Sequence, residues 1–344
     1  MSSPDSSRGR EECRIALGGD VMLGRLVDEA IGRQGASYPW GNLLPLLHGV
    51  DLFLVNLECV VTDKTERWRG DPGKPFFFRA DPRAIETLRA GRVDFVSLAN
   101  NHAGDYGMDG LCDMLQRLDQ AGIAHAGAGA DLAAASAPAW LEAGGLRIAV
   151  LAFADHPAAW AAGPGERGIH YLDPEDPAGA EAMARQVEEA GRTADLVIVS
   201  AHWGPNMCER PSGAFRAFAR SLVEAGADVF WGHSAHVVQG IEWLGDRVVL
   251  FDTGDLVDDY AVNQRLRNDL SALFILRVAR HEVRRLELVP VRIEHMQAGR
   301  AGPQEARVFL QRLTPLCLEL GTTLVSGPHA VAVAVPAAGS RGLR

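Results

Sequence analysis

The chain has 344 residues, of which 47% are hydrophobic and 23% charged, the composition of an ordinary globular enzyme with apolar material for one large or two small cores. Its formal charge is -10, from 34 Lys and Arg against 44 Asp and Glu, without a long basic run; this argues against a nucleic-acid backbone or a membrane surface as partner and leaves a peptide or a small anionic substrate. The cysteines Cys13, Cys59, Cys112, Cys208 and Cys317 are odd in number, far apart and free of any Cys-x-x-Cys pair, which argues against a disulfide framework or a thiolate zinc site and predicts a reducing, cytoplasmic setting.

The sequence opens on MSSPDSSRGREE, polar where a secretory signal needs an apolar core, and no later stretch approaches the ~20 apolar residues of a membrane span. Residues 1–12 and 336–344 are expected to be disordered tails around one domain, 13–335. Within it the apolar runs CRIAL, DLFLV, VDFVSLA, LRIAVLAF, DLVIVSA and ADVFW alternate with amphipathic stretches at about 82–90, 108–121, 178–190 and 214–226. Gly122 and Gly226 stand as helix C-caps. From 238 onward the pattern changes: VVQGIEWL and RVVLFDT flank Gly245-Asp246, a hairpin turn signal, and 271–279 and 283–294 read as antiparallel strands. A last helix, about 304–320, reads as packing. The fold class is α/β, a layered sandwich with mixed sheets.

In open α/β sheets ligands sit beyond the carboxyl ends of the strands. Those ends are polar here. They deliver Asp20; Asn56, Leu57 and Glu58; Asn100, Asn101 and His102; His202, Trp203 and Gly204; His233, Ser234, Ala235 and His236; and Asp252, Thr253, Gly254 and Asp255. A lone His or Asn after a strand is usually a cap or a satisfied core residue. Six such ends on one sheet edge would instead desolvate many polar groups, which costs several kcal/mol unless a ligand binds them. A divalent cation is the simplest such ligand for Asp, Glu, Asn and His.

GGDVMLGR, NLECVVT, LANNHAGDYG, AHWG and GHSAHVVQGIE, in this order, resemble the motif series of CapA-like proteins, named for poly-γ-glutamate capsule synthesis, a family of the calcineurin-like metallophosphoesterase superfamily. The resemblance spans about residues 14–294. It implies a calcineurin-like αββα sandwich, two mixed sheets flanked by helices, with a metal site between the sheets. Carried over, it makes Asp20 the first metal carboxylate, Glu58 the bridging acid, Asn101 the amide ligand and His102 the general acid. His202, His233 and His236 take the remaining imidazole positions.

The departures from the family pattern bear on the metal. Asp20 is followed by Val21 and Met22 where two-metal phosphoesterases place Asp-x-His, so one imidazole is missing and one ion per site is expected. Ser234 replaces a further His, and Asp252-Thr253-Gly254-Asp255 replaces a Ser-Leu-Gly-Asn type strand end. Carboxylate thus stands in for nitrogen, which favours Mn, Mg or Ca over Zn. Spare acid/base pairs result: His102 with Asp105, and His233 or His236 with Asp252 or Asp255. Asp105 reads equally well as a turn or helix cap, and Asp258 and Asp259 as a solvated turn. Arg25 and Arg79 are candidates to grip an anionic substrate, Trp203 and Phe76, Phe77 and Phe78 to wall its pocket, and Lys74 reads as a surface salt bridge.

Three functions are compatible with these residues. One is epimerisation of a peptide residue at Cα by two His/Asp pairs beside a metal-polarised carbonyl, a role associated with soluble CapA-like enzymes of lasso-peptide pathways. The second is metal-assisted hydrolysis of a phosphoester or a poly-γ-glutamate amide bond. The third is a metal-bearing binding module without turnover.

Overall fold

Period-2 alternation divides each central strand between two cores. In Leu146–Ala154, Ile148, Val150 and Ala152 join a core that also contains Ile15, Leu17 and Phe53 of the other sheet, whereas Ala149, Leu151 and Phe153 join a second core. The same split recurs in Leu196–His202 and Val229–His233, where Ile198 and Trp231 face the first core and Val199 and Phe230 the second. Strands buried on both faces cannot show the polar alternation of a half-exposed sheet, which is why these runs read as continuously apolar.

The computed structural model describes residues 12–327 and 332–336. Its larger sheet has 10 strands and follows the order Thr322–Ser326, Ala332–Pro336, Glu282–Glu294, Leu270–Ala279, Cys13–Val21, Leu52–Leu57, Phe95–Ser97, Ala124–Ala126, with Asp255–Val257 and Gln297–Arg300 paired off that path. From Cys13–Val21 to Ala124–Ala126 the pairing is parallel; from Cys13–Val21 back through Leu270–Ala279 and Glu282–Glu294 it is antiparallel. The second sheet has 6 strands: Ile241–Leu244, Arg247–Leu250, Val229–His233, Leu196–His202, Leu146–Ala154 and Ala139–Ala143. Its central strands are parallel and its edges are hairpins, one of them turning at Gly245-Asp246.

The two sheets face each other. Trp231 of the second sends its indole N–H to the Gly18 carbonyl of the first at 3.0 Å, deep in the shared core. Helices Pro177–Gly191 and Gly213–Glu224 cover the second sheet through Met183, Val187, Phe218 and Leu222. On the larger sheet, Ala84–Ala90, Gly107–Ala121 and Pro303–Leu318 contribute Leu88, Leu111, Met114, Phe309 and Leu313. This is the αββα sandwich, with mixed sheets and outer helices, that the family resemblance implies.

Gly122 is the left-handed cap of its helix at φ 71°, as expected, but the helix Gly213–Glu224 is capped by Ala225, with Gly226 one residue beyond. The proposed tails at 1–12 and 336–344 fall almost wholly outside the described residues; Glu12 and Pro336 are within them, Pro336 as the end of a strand. Among the described residues no helix is long and apolar enough to cross a membrane.

Candidate metal centre

Register brings the polar strand ends together. Asp20 lies opposite Asn56 on one side and Asp255 on the other in the larger sheet, and His202 lies opposite His233 in the second. Two glycines permit the approach: a Cβ on Gly19 would stand 1.7 Å from the Gly254 carbonyl oxygen, and one on Gly232 2.0 Å from that of Phe251. The loop Ser234-Ala235-His236 then turns back over Asp20 with Ser234 at φ 114° and His236 at φ 58°, conformations costly for non-glycine residues and held by surrounding bonds. Ser234 N donates to Asp20 Oδ2 at 3.2 Å and Ala235 N to Asp252 Oδ2 at 2.7 Å.

Asp20 belongs to two donor groups. It stands with His202 and His233 in one, and with Glu58, His236 and Asp255 in the other; within each group one ligand atom per residue lies within 4.8 Å of all the rest. In the first group the two Nδ1 atoms are 3.0 Å apart, and Asn101 Oδ1 is 3.2 Å from His202 Nε2. Burial holds both imidazoles neutral, pushing His233 down to about 3 and His202 well below its ordinary value, the latter also through the neighbouring imidazoles. Neutral rings are the metal-binding form, and two nitrogens ~2.0–2.1 Å from one cation lie about 3 Å apart.

The second group is crowded with carboxylate. Burial raises Asp20, Glu58 and Asp255 well above the usual carboxylate range, and neighbouring acids push each further in the same direction. Glu58 Oε1 and Asp255 Oδ2 are buried without a hydrogen-bond partner. An unpaired buried carboxylate oxygen is expensive, and a divalent cation removes both the missing partner and the repulsion. The donor set of both groups therefore fits a divalent metal, with oxygen predominant in one and nitrogen in the other.

Two imidazoles are coupled to carboxylates. His102 Nδ1 is 2.6 Å from Asp105 Oδ2, its Nε2 is 3.9 Å from Glu58 Oε1, and its ring stacks on Phe78 at 3.9 Å between centroids. Burial brings His102 down to about 4 even though Asp105 opposes the shift. His236 Nδ1 is 2.8 Å from Asp255 Oδ1 and 3.6 Å from Asp20 Oδ2. Burial lowers His236, but Glu58, Asp20, Asp252 and Asp258 together outweigh it and leave its pKa raised.

Several expectations are corrected. Asp252 pairs with no imidazole; its oxygens accept from Ala235 N and Gly254 N, each at 2.7 Å, so it shapes the loops. His233 likewise meets neither Asp252 nor Asp255: Ser200 Oγ is 2.8 Å from its Nε2, and its Nδ1 lies 3.6 Å from Asp20 Oδ1. Trp203 is not a pocket wall: it is 3% exposed, donates to the Phe251 carbonyl at 2.9 Å and packs in the second core against Phe215, Phe218 and Phe230. Asp258 is buried beside Asp255, and the Asp259 side chain is buried and paired with Arg25 at 3.3 Å, so neither carboxylate is solvated. Arg25 lies over Phe76 and Phe78 at 5.7 and 5.6 Å from their centroids, whereas Arg79 donates to the Lys64 carbonyl and covers Tyr106.

Some site residues escaped the strand-end reading. Tyr260 donates its hydroxyl to Glu58 Oε2 at 3.0 Å, whereas Asn56, which that reading includes, donates to Asp20 Oδ1 at 2.7 Å. Nothing local marks Tyr260, which reaches the site from a loop 202 positions away in sequence. Asp155 and His156 follow Leu146–Ala154 and could have been found by the rule applied to the other ends; the two side chains bond each other, and the His156 ring is 5.5 Å from that of His202.

With this geometry in place, the chain matches the family described as bacterial capsule synthesis protein PGA_cap over residues 14–260. It is 31% identical to a "probable polyglutamine synthesis accessory protein" of Mycobacterium tuberculosis, across 94% of this chain and 96% of the relative. It is 28% identical to the capsule biosynthesis protein CapA of Bacillus anthracis, across 85% of this chain and 70% of the relative. For the PGA biosynthesis protein CapA of Bacillus subtilis the identity is 29%, across 80% and 70%.

Proposed function

Because this chain belongs to the bacterial capsule synthesis protein family PGA_cap, we propose that it is a divalent-metal-dependent enzyme acting on a peptide or a glutamate polymer by moving protons beside a carbonyl group. The observation that carries this reading is the presence of two separate His–carboxylate couples, His102–Asp105 beside Glu58 and His236–Asp255 beside Asp20. Asp20 with His202 and His233 would hold the cation, which supplies Lewis acidity toward a substrate carbonyl. His102 accepts a proton at Nε2 while Asp105 keeps its Nδ1–H in place. His236, oriented by Asp255, is the second proton carrier, and its raised pKa suits it to arrive protonated. One couple taking the Cα proton and the other delivering its own, solvent-derived proton to the opposite face would epimerise a residue of the substrate.

The sharing of Asp20 between two donor groups favours a second reading, hydrolysis of an amide or phosphoester with two cations in which His236 is a ligand. The readings differ in ion count and in product. Metal-loaded protein incubated in deuterated water with glutamyl peptides, and with any precursor peptide encoded beside its gene, is expected to add one deuterium at one Cα without cleavage, with one ion per chain. His102→Ala is expected to abolish exchange and keep the ion. Cleavage without exchange, with two ions per chain, would reject the epimerase reading in favour of the hydrolase.

A further inference from the structure

Residues 63–78 contain no helix or strand, yet three of their contacts converge on Asp105. Trp68 N donates to the Asp105 carbonyl at 2.9 Å, Phe78 N donates to Asp105 Oδ2 at 2.6 Å, and Lys74 Nζ lies 3.1 Å from Asp105 Oδ1. Lys74 Nζ also donates to the backbone carbonyl of Asn101 at 2.7 Å and sits 5.0 Å from the centroid of Trp160. Its side chain is only 13% exposed and that of Asp105 is fully buried, so this is an interior ion pair beneath an aromatic lid and not a solvated surface contact.

The two oxygens of Asp105 are thereby assigned different tasks. Oδ2 takes His102 Nδ1 and Phe78 N, and Oδ1 takes the ammonium. Without Lys74, Oδ1 would be a buried anionic oxygen with no cation, and the carboxylate would have reason to leave the rotamer that faces His102. The Asn101 carbonyl would lose its donor in the same step. Both contacts converge on Asn101-His102, where the amide and the imidazole of the centre sit side by side.

We propose that Lys74 is a positioning residue for the proton-transfer couple: its ammonium fixes the Asp105 carboxylate so that His102 carries its proton on Nδ1 and presents a bare Nε2 toward Glu58. This rests on His102 being the proton carrier of the proposed function. Phe78, stacked on His102, restrains the ring from one face, while Lys74 restrains the carboxylate that sets its tautomer. Lys74 needs no contact with substrate for this.

The test uses the full-length, zinc-loaded protein with 15N-labelled histidine. Long-range 1H–15N spectra of the wild type are expected to show His102 with a protonated Nδ1 and a bare Nε2. Lys74→Met should lose that pattern and slow exchange by about 100-fold with little change in KM, at unchanged zinc content, whereas Lys74→Arg should keep the pattern. Lys74→Gln, which can still donate to the Asn101 carbonyl but carries no charge, should behave like Lys74→Met and serves if the methionine variant does not fold. A wild-type His102 pattern in the glutamine or methionine variant overturns the proposal, as does a wild type whose His102 lacks the Nδ1 proton. Absence of exchange in the wild type would defeat the function proposed above, and the His102 spectra would still decide the role of Lys74.

Discussion

The two halves of the centre share Asp20 and little else. The half at His202 and His233 is nitrogen-rich, fully buried and neutral, built by in-register ends of adjacent parallel strands of the second sheet. The half at Glu58, His236 and Asp255 is oxygen-rich and crowded with acids whose protonation burial favours, and its imidazole hangs from a loop with left-handed residues at Ser234 and His236. Strand register is rigid and can place two imidazole Nδ1 atoms 3.0 Å apart without help; loops are softer and here need Asp252, Tyr260 and Arg25–Asp259 to hold them. The first half resembles a preformed ion seat, and the second has its free energy balance tipped by whatever cation or proton enters it.

The largest effect that tests this contrast is loss of the shared residue. Asp20→Ala is expected to empty both halves, abolishing turnover and the stabilisation by added metal, which in the wild type amounts to about 4 kcal/mol at a free ion concentration a thousand times Kd. Melting curves with and without Mn or Zn measure it; a variant still stabilised like the wild type would show that the halves bind without Asp20.

Proton release sharpens the comparison. An ion entering the carboxylate half must displace protons from acids whose folded-state pKa is raised, so its apparent affinity is expected to keep climbing as pH rises beyond the ordinary carboxylate range. His202 and His233 are already neutral there, so an ion in the nitrogen half should release fewer protons and depend less on pH. Calorimetric titrations in two buffers of different ionisation enthalpy count the protons directly. Equal release for every ion bound would erase the distinction.

Tyr260→Phe removes only the hydroxyl that bonds Glu58 Oε2 and is expected to weaken the carboxylate half about tenfold, leaving the nitrogen half untouched. Metal titration monitored separately for Mn and Zn reads the difference. The smallest effect belongs to Trp203→Phe: it deletes the bond to the Phe251 carbonyl in the second core, with an expected loss of about 1–2 kcal/mol in chemical denaturation and no change in metal content. A loss of metal in that variant would return Trp203 to the site.

Asp20, Glu58, Asn101, His202, His233 and His236 are legible because each stands at the end of an apolar run or within a few residues of it, and strand ends in such sheets converge on one edge. The pairing of His102 with Asp105 was legible for a similar local reason, three residues apart in one turn. Partner choice at longer range was not. Asp252 and Asp255 stand three positions apart in one turn and look interchangeable in sequence, yet backbone N–H groups claim the first and His236 the second. Trp203 beside His202 looked like a pocket wall, but a one-residue step along a strand reverses the face and sends it into the helix-covered core.

The sequence by itself determined the α/β alternation, the antiparallel second half, and the concentration of metal-binding residue types at strand ends, because hydrophobic period and turn chemistry are local properties. Only the tertiary structure decided that Asp20 serves two donor groups, that Lys74 reaches Asp105 and the Asn101 carbonyl, and that Tyr260 closes over Glu58. Those contacts are set by which strand lies beside which and by how two sheets pack face to face, and no pattern confined to a few neighbouring residues records that choice.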